Sequence, residues 1–360
     1  MAKSTEKSFE LEDGSFGANS EENHQKPRSV KCLLLFNTAL SAIGTIGGPL
    51  LLRLYYIHGG NRKWVASSLQ TAGFPLLVFP LSILFLRHRA RGVPFMAEPK
   101  LLLSSAAIGL LVGLNNFLYS LGLSSLPVST SSLLFSTQLA FTALFALIIV
   151  RQKFTPYSIN AVVLMTLGAI LLGIRKSSDR PPAVSNAEYL LGFLMTLAAA
   201  SLLGFTLPCI ELAYAKATKA INYRIVLQFQ FGVSFFATVF CTIGMIINKD
   251  FAAITREASE FGLGETKYYL VLVFTAVVFQ FIFVGTLGVI FCSSSLFAGV
   301  LNATMLPLTE VAGVLVYHEK FTGEKGMALA LCLWGFTSYF YGSYREKEPV
   351  IESSAKAQLA

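Results

Sequence analysis

The sequence predicts an all-α integral membrane protein whose ten transmembrane helices form two five-helix repeats lying upside down to one another. Three observations predict it: apolar residues gathered into ten long blocks, a scarcity of charge, and an echo between the two halves of the chain. The 360 residues are 54% hydrophobic and 13% charged, with a mean hydropathy of +0.62, whereas a soluble domain holds about 25% charged residues. A helix needs about 20 apolar residues to cross about 30 Å of hydrocarbon. Membrane β-barrel strands alternate with a period of two; these blocks are continuously apolar.

Residues 1–30 are rich in Ser, Glu, Lys and Asn, lack an apolar core, and read as a disordered cytoplasmic tail without a signal peptide. The first block, Lys31–Leu52, sets Asn37, Ser41, Gly44 and Gly48 on one helical face, with Pro49 near its end. Trp64–Leu86 follows and carries Trp64 and Gln70. Leu101–Leu121 holds Gly109, Gly113, Asn115, Asn116 and Tyr119; Val128–Val150 holds the stripe Ser131, Phe135, Gln138, Thr142. Pro156–Ile174 completes a first repeat at 31–175.

After a linker at 176–188, the second repeat spans 189–344. Tyr189–Leu212 places Ser201, Gly204, Pro208 and Glu211 in the rhythm of the first block, and Ile225–Ile247 carries Gln228 and Gln230. Tyr268–Phe291 carries Gln280, and Ser294–Tyr317 carries Asn302, Thr309 and Glu310. Gly323–Tyr344 is the last block, before a cytoplasmic tail at 345–360.

The echo is strongest where VRQKFT (Val150–Thr155) falls on YHEKFT (Tyr317–Thr322) at a shift of 167 residues. The same shift puts Thr137 on Thr304, Thr142 on Thr309, Ala161 on Ala328 and Gly168 on Gly335; a shift of 160 puts Ser41 on Ser201, Gly44 on Gly204 and Gln70 on Gln230. Five spans per copy is odd, so the copies must be inverted, the architecture of many secondary transporters with the substrate near the midplane.

The net charge of +8 is no sign of nucleic acid here, because Lys and Arg gather in loops and set topology. With the N-terminus cytoplasmic, that side carries 17 Lys and Arg against 11 opposite, which favours both termini inside. Five cysteines lie in or beside spans without a CxxC pair, so neither a disulfide framework nor a metal or redox centre is expected.

Polar groups in hydrocarbon generally face the bundle interior or a wet cavity. One Asn or Gln is best explained by an interhelical hydrogen bond; amides on most of the spans point to a shared cavity. A carboxamide donates and accepts together, matching the edge of a heterocyclic base, and aromatic rings stack on it. We therefore expect Asn116, Gln138, Gln70, Gln280, Asn37 and Asn302 to bind substrate by hydrogen bonds, with Tyr119, Phe135 and Trp64 as stacking faces. No Lys or Arg is central to a span, which disfavours phosphorylated cargo and suggests an uncharged or weakly basic one. Glu310, about 10 Å into its helix, is the first choice for proton coupling, and Glu211 the second. The rival reading makes each a structural hydrogen-bonding or interfacial acid.

The segments Ile46–Pro75, Gly113–Phe141, Leu306–Phe321 and Leu333–Tyr344 together resemble the plant purine permeases, a branch of the drug/metabolite transporter superfamily. That resemblance implies a ten-helix fold with inverted repeats and proton-coupled import of purine bases, cytokinins or related nitrogen heterocycles. Some members carry alkaloids, benzylisoquinoline or pyridine types among them, or vitamin B6, and the residues do not choose. It also implies a multi-pass protein, the plasma membrane coming first and the vacuolar or endoplasmic reticulum membrane next, with no cofactor. Oligomeric state stays open, a monomer being compatible. An intramembrane enzyme would need clustered His with Ser, Cys or Asp at depth, yet all four histidines lie outside the central spans. A receptor or channel is the remaining class, separable by counterflow.

Overall fold

The structure is a computed structural model that describes residues 28–88, 99–151, 155–174, 184–216, 223–318 and 321–345. Most of the expected N-terminal tail, residues 176–183 of the linker, the tail after Arg345, and Lys153, Phe154, Glu319 and Lys320 of the repeated hairpin lie outside the described residues. Among the described residues every regular element is helical: α1 (Arg28–Ile57), α2 (Lys63–Leu69), a 3₁₀ turn (Phe74–Leu77), α3 (Val78–His88), α4 (Pro99–Ser125), α5 (Val128–Phe135), α6 (Gln138–Ile149), α7 (Pro156–Ile174), α8 (Asn186–Ala215), α9 (Tyr223–Ile247), α10 (Asp250–Glu260), α11 (Glu265–Cys292), α12 (Ser295–Tyr317) and α13 (Gly323–Arg345).

Each of the ten apolar blocks falls on one helix or an interrupted pair. Among the described residues, seven stretches are long and apolar enough to cross a membrane: Val30–Ile57, Lys63–Ile83, α4, α8, α9, α11 and α12. The fourth block departs from expectation because it is two helices, α5 and α6. The Thr137 hydroxyl donates to the Leu134 carbonyl at 2.8 Å, and Leu139 and Ala140 bond three residues back instead of four. Such local bonds compete with the helical ladder. The second block breaks likewise at Gln70–Gly73, ahead of Pro75. Gly73 is obligatory there, since a Cβ would collide with the Ala276 carbonyl of α11.

Small residues set the closest helix crossings. A Cβ on Gly44 would lie 2.5 Å from the backbone nitrogen of Ile282, and one on Gly285 only 2.6 Å from the Asn37 carbonyl oxygen, so α1 and α11 touch backbone to backbone. α4 lies against α8 in the same manner, Gly122 facing Thr196 and Gly192. α7 and α13 pair through reciprocal close approaches: a Cβ on Gly168 would lie 3.2 Å from the Ala328 carbonyl, and one on Gly335 3.0 Å from the Ala161 carbonyl.

Pro49, inside α1, has no N–H to offer the Thr45 carbonyl. The Thr309 hydroxyl of α12 supplies that donor at 3.1 Å, closer than its own Met305 carbonyl at 3.3 Å. Pro127, just past α4, leaves the Leu123 carbonyl in the same condition, and the Arg53 guanidinium of α1 donates to it at 3.1 Å. Beyond Arg53, Glu257 of α10 accepts from the Tyr55 and Tyr268 hydroxyls and from the Asn61 N–H, with Arg62 within 3.9 Å. Those bonds fold the α1–α2 turn onto the amphipathic helix α10.

Candidate functional site

Where α2 stops and α5 gives way to α6, a cavity opens between the helices with an empty volume of about 830 Å³, its open side included. α4 supplies Asn115, Asn116 and Tyr119; the two interruptions supply Gln70, Phe135 and Gln138; α12 supplies Asn302. Both helix breaks therefore put a glutamine side chain where a continuous apolar helix would have put its flank. Aliphatic and Phe side chains of α8, α9, α11 and α12, among them Leu207, Ile210 and Phe283, make up much of the remaining wall.

The amides divide by what they already bond. Gln70 Nε2 donates to the Asn116 carbonyl at 3.0 Å and to the Ser120 hydroxyl at 2.9 Å, so its orientation is fixed. Asn302 Oδ1 accepts from Ser41 at 3.1 Å, and its Nδ2 lies 3.5 Å from the Thr286 hydroxyl. By contrast both carboxamide atoms of Asn116, Oδ1 of Asn115 and Oε1 of Gln138 are buried with no hydrogen-bond partner in the protein. An unsatisfied buried polar group costs about 1–3 kcal/mol, so these atoms favour a ligand with a complementary polar edge. Tyr119 and Phe135 lie beside them, ring centroids 5.0 Å apart and tilted by 58°.

The structure brings Asn116, Gln138, Gln70, Tyr119, Phe135 and Asn302 into one wall. It leaves Asn37, Gln280 and Trp64 off it. Asn37 is occupied, donating to the Leu33 carbonyl at 2.8 Å and accepting from the Tyr223 hydroxyl at 3.0 Å. Trp64 stacks on Phe117 with centroids 3.9 Å apart and seals the contact with Gly244. Gln280 is buried and has neither carboxamide atom bonded, but it borders the Gly73 turn.

Glu310 is fully buried in α12, within electrostatic reach of the Cys332 thiol of α13 and off the cavity wall. The Glu211 carboxylate accepts from the Ser295 N–H at 2.9 Å, where the first turn of α12 has unbonded N–H groups. It thus caps that helix. Thr45, Thr206 and Thr286 also line the cavity. Sequence reasoning passed them over because threonine is common in membrane helices, where its hydroxyl can bond its own backbone.

A model of the family described as purine nucleobase transmembrane transport matches residues 32–349. Over 325 residues the chain is 46% identical to purine permease 3 of Arabidopsis thaliana, covering 89% of this chain and 93% of that one. It is 47% identical over 333 residues to purine permease 2 of the same plant, covering 88% and 93%. Identity to purine permease 21 is 34% over 308 residues, covering 85% and 79%.

Proposed function

The chain belongs to the purine nucleobase transmembrane transport family, and from that premise we propose that it carries purine bases and related nitrogen heterocycles across a membrane by alternating access. It is a multi-pass transporter and no enzyme. The observation that carries the proposal is the set of unbonded carboxamide atoms, Oδ1 of Asn115, both of Asn116 and Oε1 of Gln138, beside the Tyr119–Phe135 ring pair. A purine presents donor and acceptor atoms side by side on its edge, and two π faces. Carboxamides answer the first, aromatic rings the second.

The aliphatic remainder of the cavity suits a substrate with an apolar extension, which favours an N-substituted adenine of the cytokinin kind. The same feature supports the second reading, an alkaloid as cargo; vitamin B6, a small polar ring, fits it less well. Ten crossings in two inverted repeats are part of the proposal. Its support is the reciprocal α7–α13 contact, in which Gly168 and Gly335 exchange roles with Ala328 and Ala161, the very positions matched by the 167-residue shift. Ten crossings put both termini on one side, the cytoplasmic one by the Lys and Arg bias, and the plasma membrane is the natural site of an importer. Glu310 is the proposed proton carrier, since Glu211 is engaged as a helix cap.

The test is uptake of labelled adenine by cells expressing the protein, with unlabelled cytokinin, alkaloid and pyridoxine as competitors. Saturable uptake displaced by purines supports the reading; uptake displaced only by alkaloid transfers it to the second. No uptake of either ends it.

A further inference from the structure

The cavity is closed towards the C-terminal end of α1 by a tightly packed apolar layer. Leu52, Leu123 and Val128 are 0% exposed there, and Tyr119, on the cavity wall, belongs to the same cluster. Across that layer α1 and α4 are tied by two hydrogen bonds to backbone carbonyls. Arg53 reaches the Leu123 carbonyl at 3.1 Å, and the Tyr56 hydroxyl reaches the Ser120 carbonyl at 3.1 Å. The Leu123 carbonyl is available only because Pro127 cannot bond it, and it sits at the helix end where a cation is favoured.

The geometry points to Arg53 as a gating residue: its bond to Leu123, backed by Tyr56 on Ser120, holds α1 against α4 and shuts this end of the cavity. Substrate entry or exit there requires both bonds to break together. Both are made to carbonyls that keep their place in α4, so they reform without rearrangement when the helices meet again. Ser120 also connects the gate with the cavity, because its hydroxyl accepts from Gln70 while its carbonyl accepts from Tyr56. A ligand that pulls on Gln70 therefore acts one residue away from the wall and directly on the residue that Tyr56 holds. Arg53 does not touch substrate; it positions α1.

The proposal rests on the transport reading, but one readout is independent of cargo. A Val128→Cys reporter in the buried layer, in a Cys32→Ser background, is exposed in vesicles to a membrane-impermeant maleimide, with the reporter-free protein as control. Arg53→Gln is expected to raise reporter labelling at least tenfold. It should cut net purine uptake about fivefold or more while equilibrium binding in detergent stays within threefold, and Arg53→Lys should recover part of both losses. Unchanged labelling together with unchanged uptake in a folded Arg53→Gln protein overturns the gate. Should that variant not fold, Tyr56→Phe, which removes one hydroxyl, must still accelerate labelling; labelling at the parental rate overturns the proposal equally. Absence of purine uptake by the parent protein counts against the transport reading alone, since the labelling comparison stands without it.

Discussion

The Thr309 hydroxyl donates to the Thr45 carbonyl, 3.1 Å away on another helix, and so replaces the donor that Pro49 lacks. The turn of α1 at Pro49 is thereby fastened to α12 within the cavity region, at the wall residues Thr45 and Pro49. An orphaned buried carbonyl costs about 1–3 kcal/mol. Thr309→Val should lower thermal stability in detergent by that order, and Thr309→Ser should leave it close to the parent. Equal melting of the Val variant and the parent would remove the fastening from the account.

Asn116 and Gln138 offer polar atoms that nothing in the protein bonds. A well-placed amide contact to a base edge is worth about 1–3 kcal/mol, and each 1.4 kcal/mol is about tenfold in affinity. Asn116→Ala and Gln138→Ala should therefore raise the KM for adenine by roughly five- to a hundredfold with expression unchanged. Trp64→Leu is the contrast: it empties the stack on Phe117, so stability drops while KM holds. A Trp64→Leu protein with the larger KM shift would mean that the rings, not the amides, select the base.

For Glu310 the expected signature is in the pH profile. Uptake by the parent should accelerate as the outside is acidified and collapse with a protonophore. Glu310→Gln, which cannot exchange a proton, should give a flat profile. A variant that keeps the parental pH dependence clears Glu310 of the proton, and attention passes to the other buried acids.

At the α1–α11 crossing, Gly285→Ala would press a methyl group onto the Asn37 carbonyl and the Ser41 backbone. Overpacking of this kind costs typically about 1–3 kcal/mol, read as a melting temperature several degrees lower. Gly323→Ala, with nothing within 4 Å of the added carbon, is the matched control and should be neutral. Equal effects at the two sites would show that the crossing is looser than described.

Periodicity and apolar block length made the helices legible, since bilayer thickness imposes them on any sequence that crosses it. Gln70, Asn116 and Gln138 were legible for the related reason that amides are costly in hydrocarbon and must face something. Hydropathy could not register the interruptions after Leu69 and Phe135, because Ser, Thr and Gly shift a window average little while changing the backbone decisively. Nor could it separate Asn37, satisfied by Leu33 and Tyr223, from Asn116, satisfied by nothing; that depends on which helix is opposite. Glu211 shows the same limit, since its partner is an N–H distant in the sequence. The α10 helix and its Glu257 cluster went unread because they belong to a connection between blocks.

The glycine crossing between α1 and α11 has a mechanical consequence. Helices whose backbones already touch have no slack to slide or rotate past each other, so α1 and α11 must travel together. One comes from the first half of the chain and the other from the second, and α4 with α8 makes the complementary mixed pair. On the proposed two-repeat reading, the repeated unit is thus not the unit that moves: each rigid piece borrows helices from both halves of the chain, and the hinge lines run through the halves, not between them.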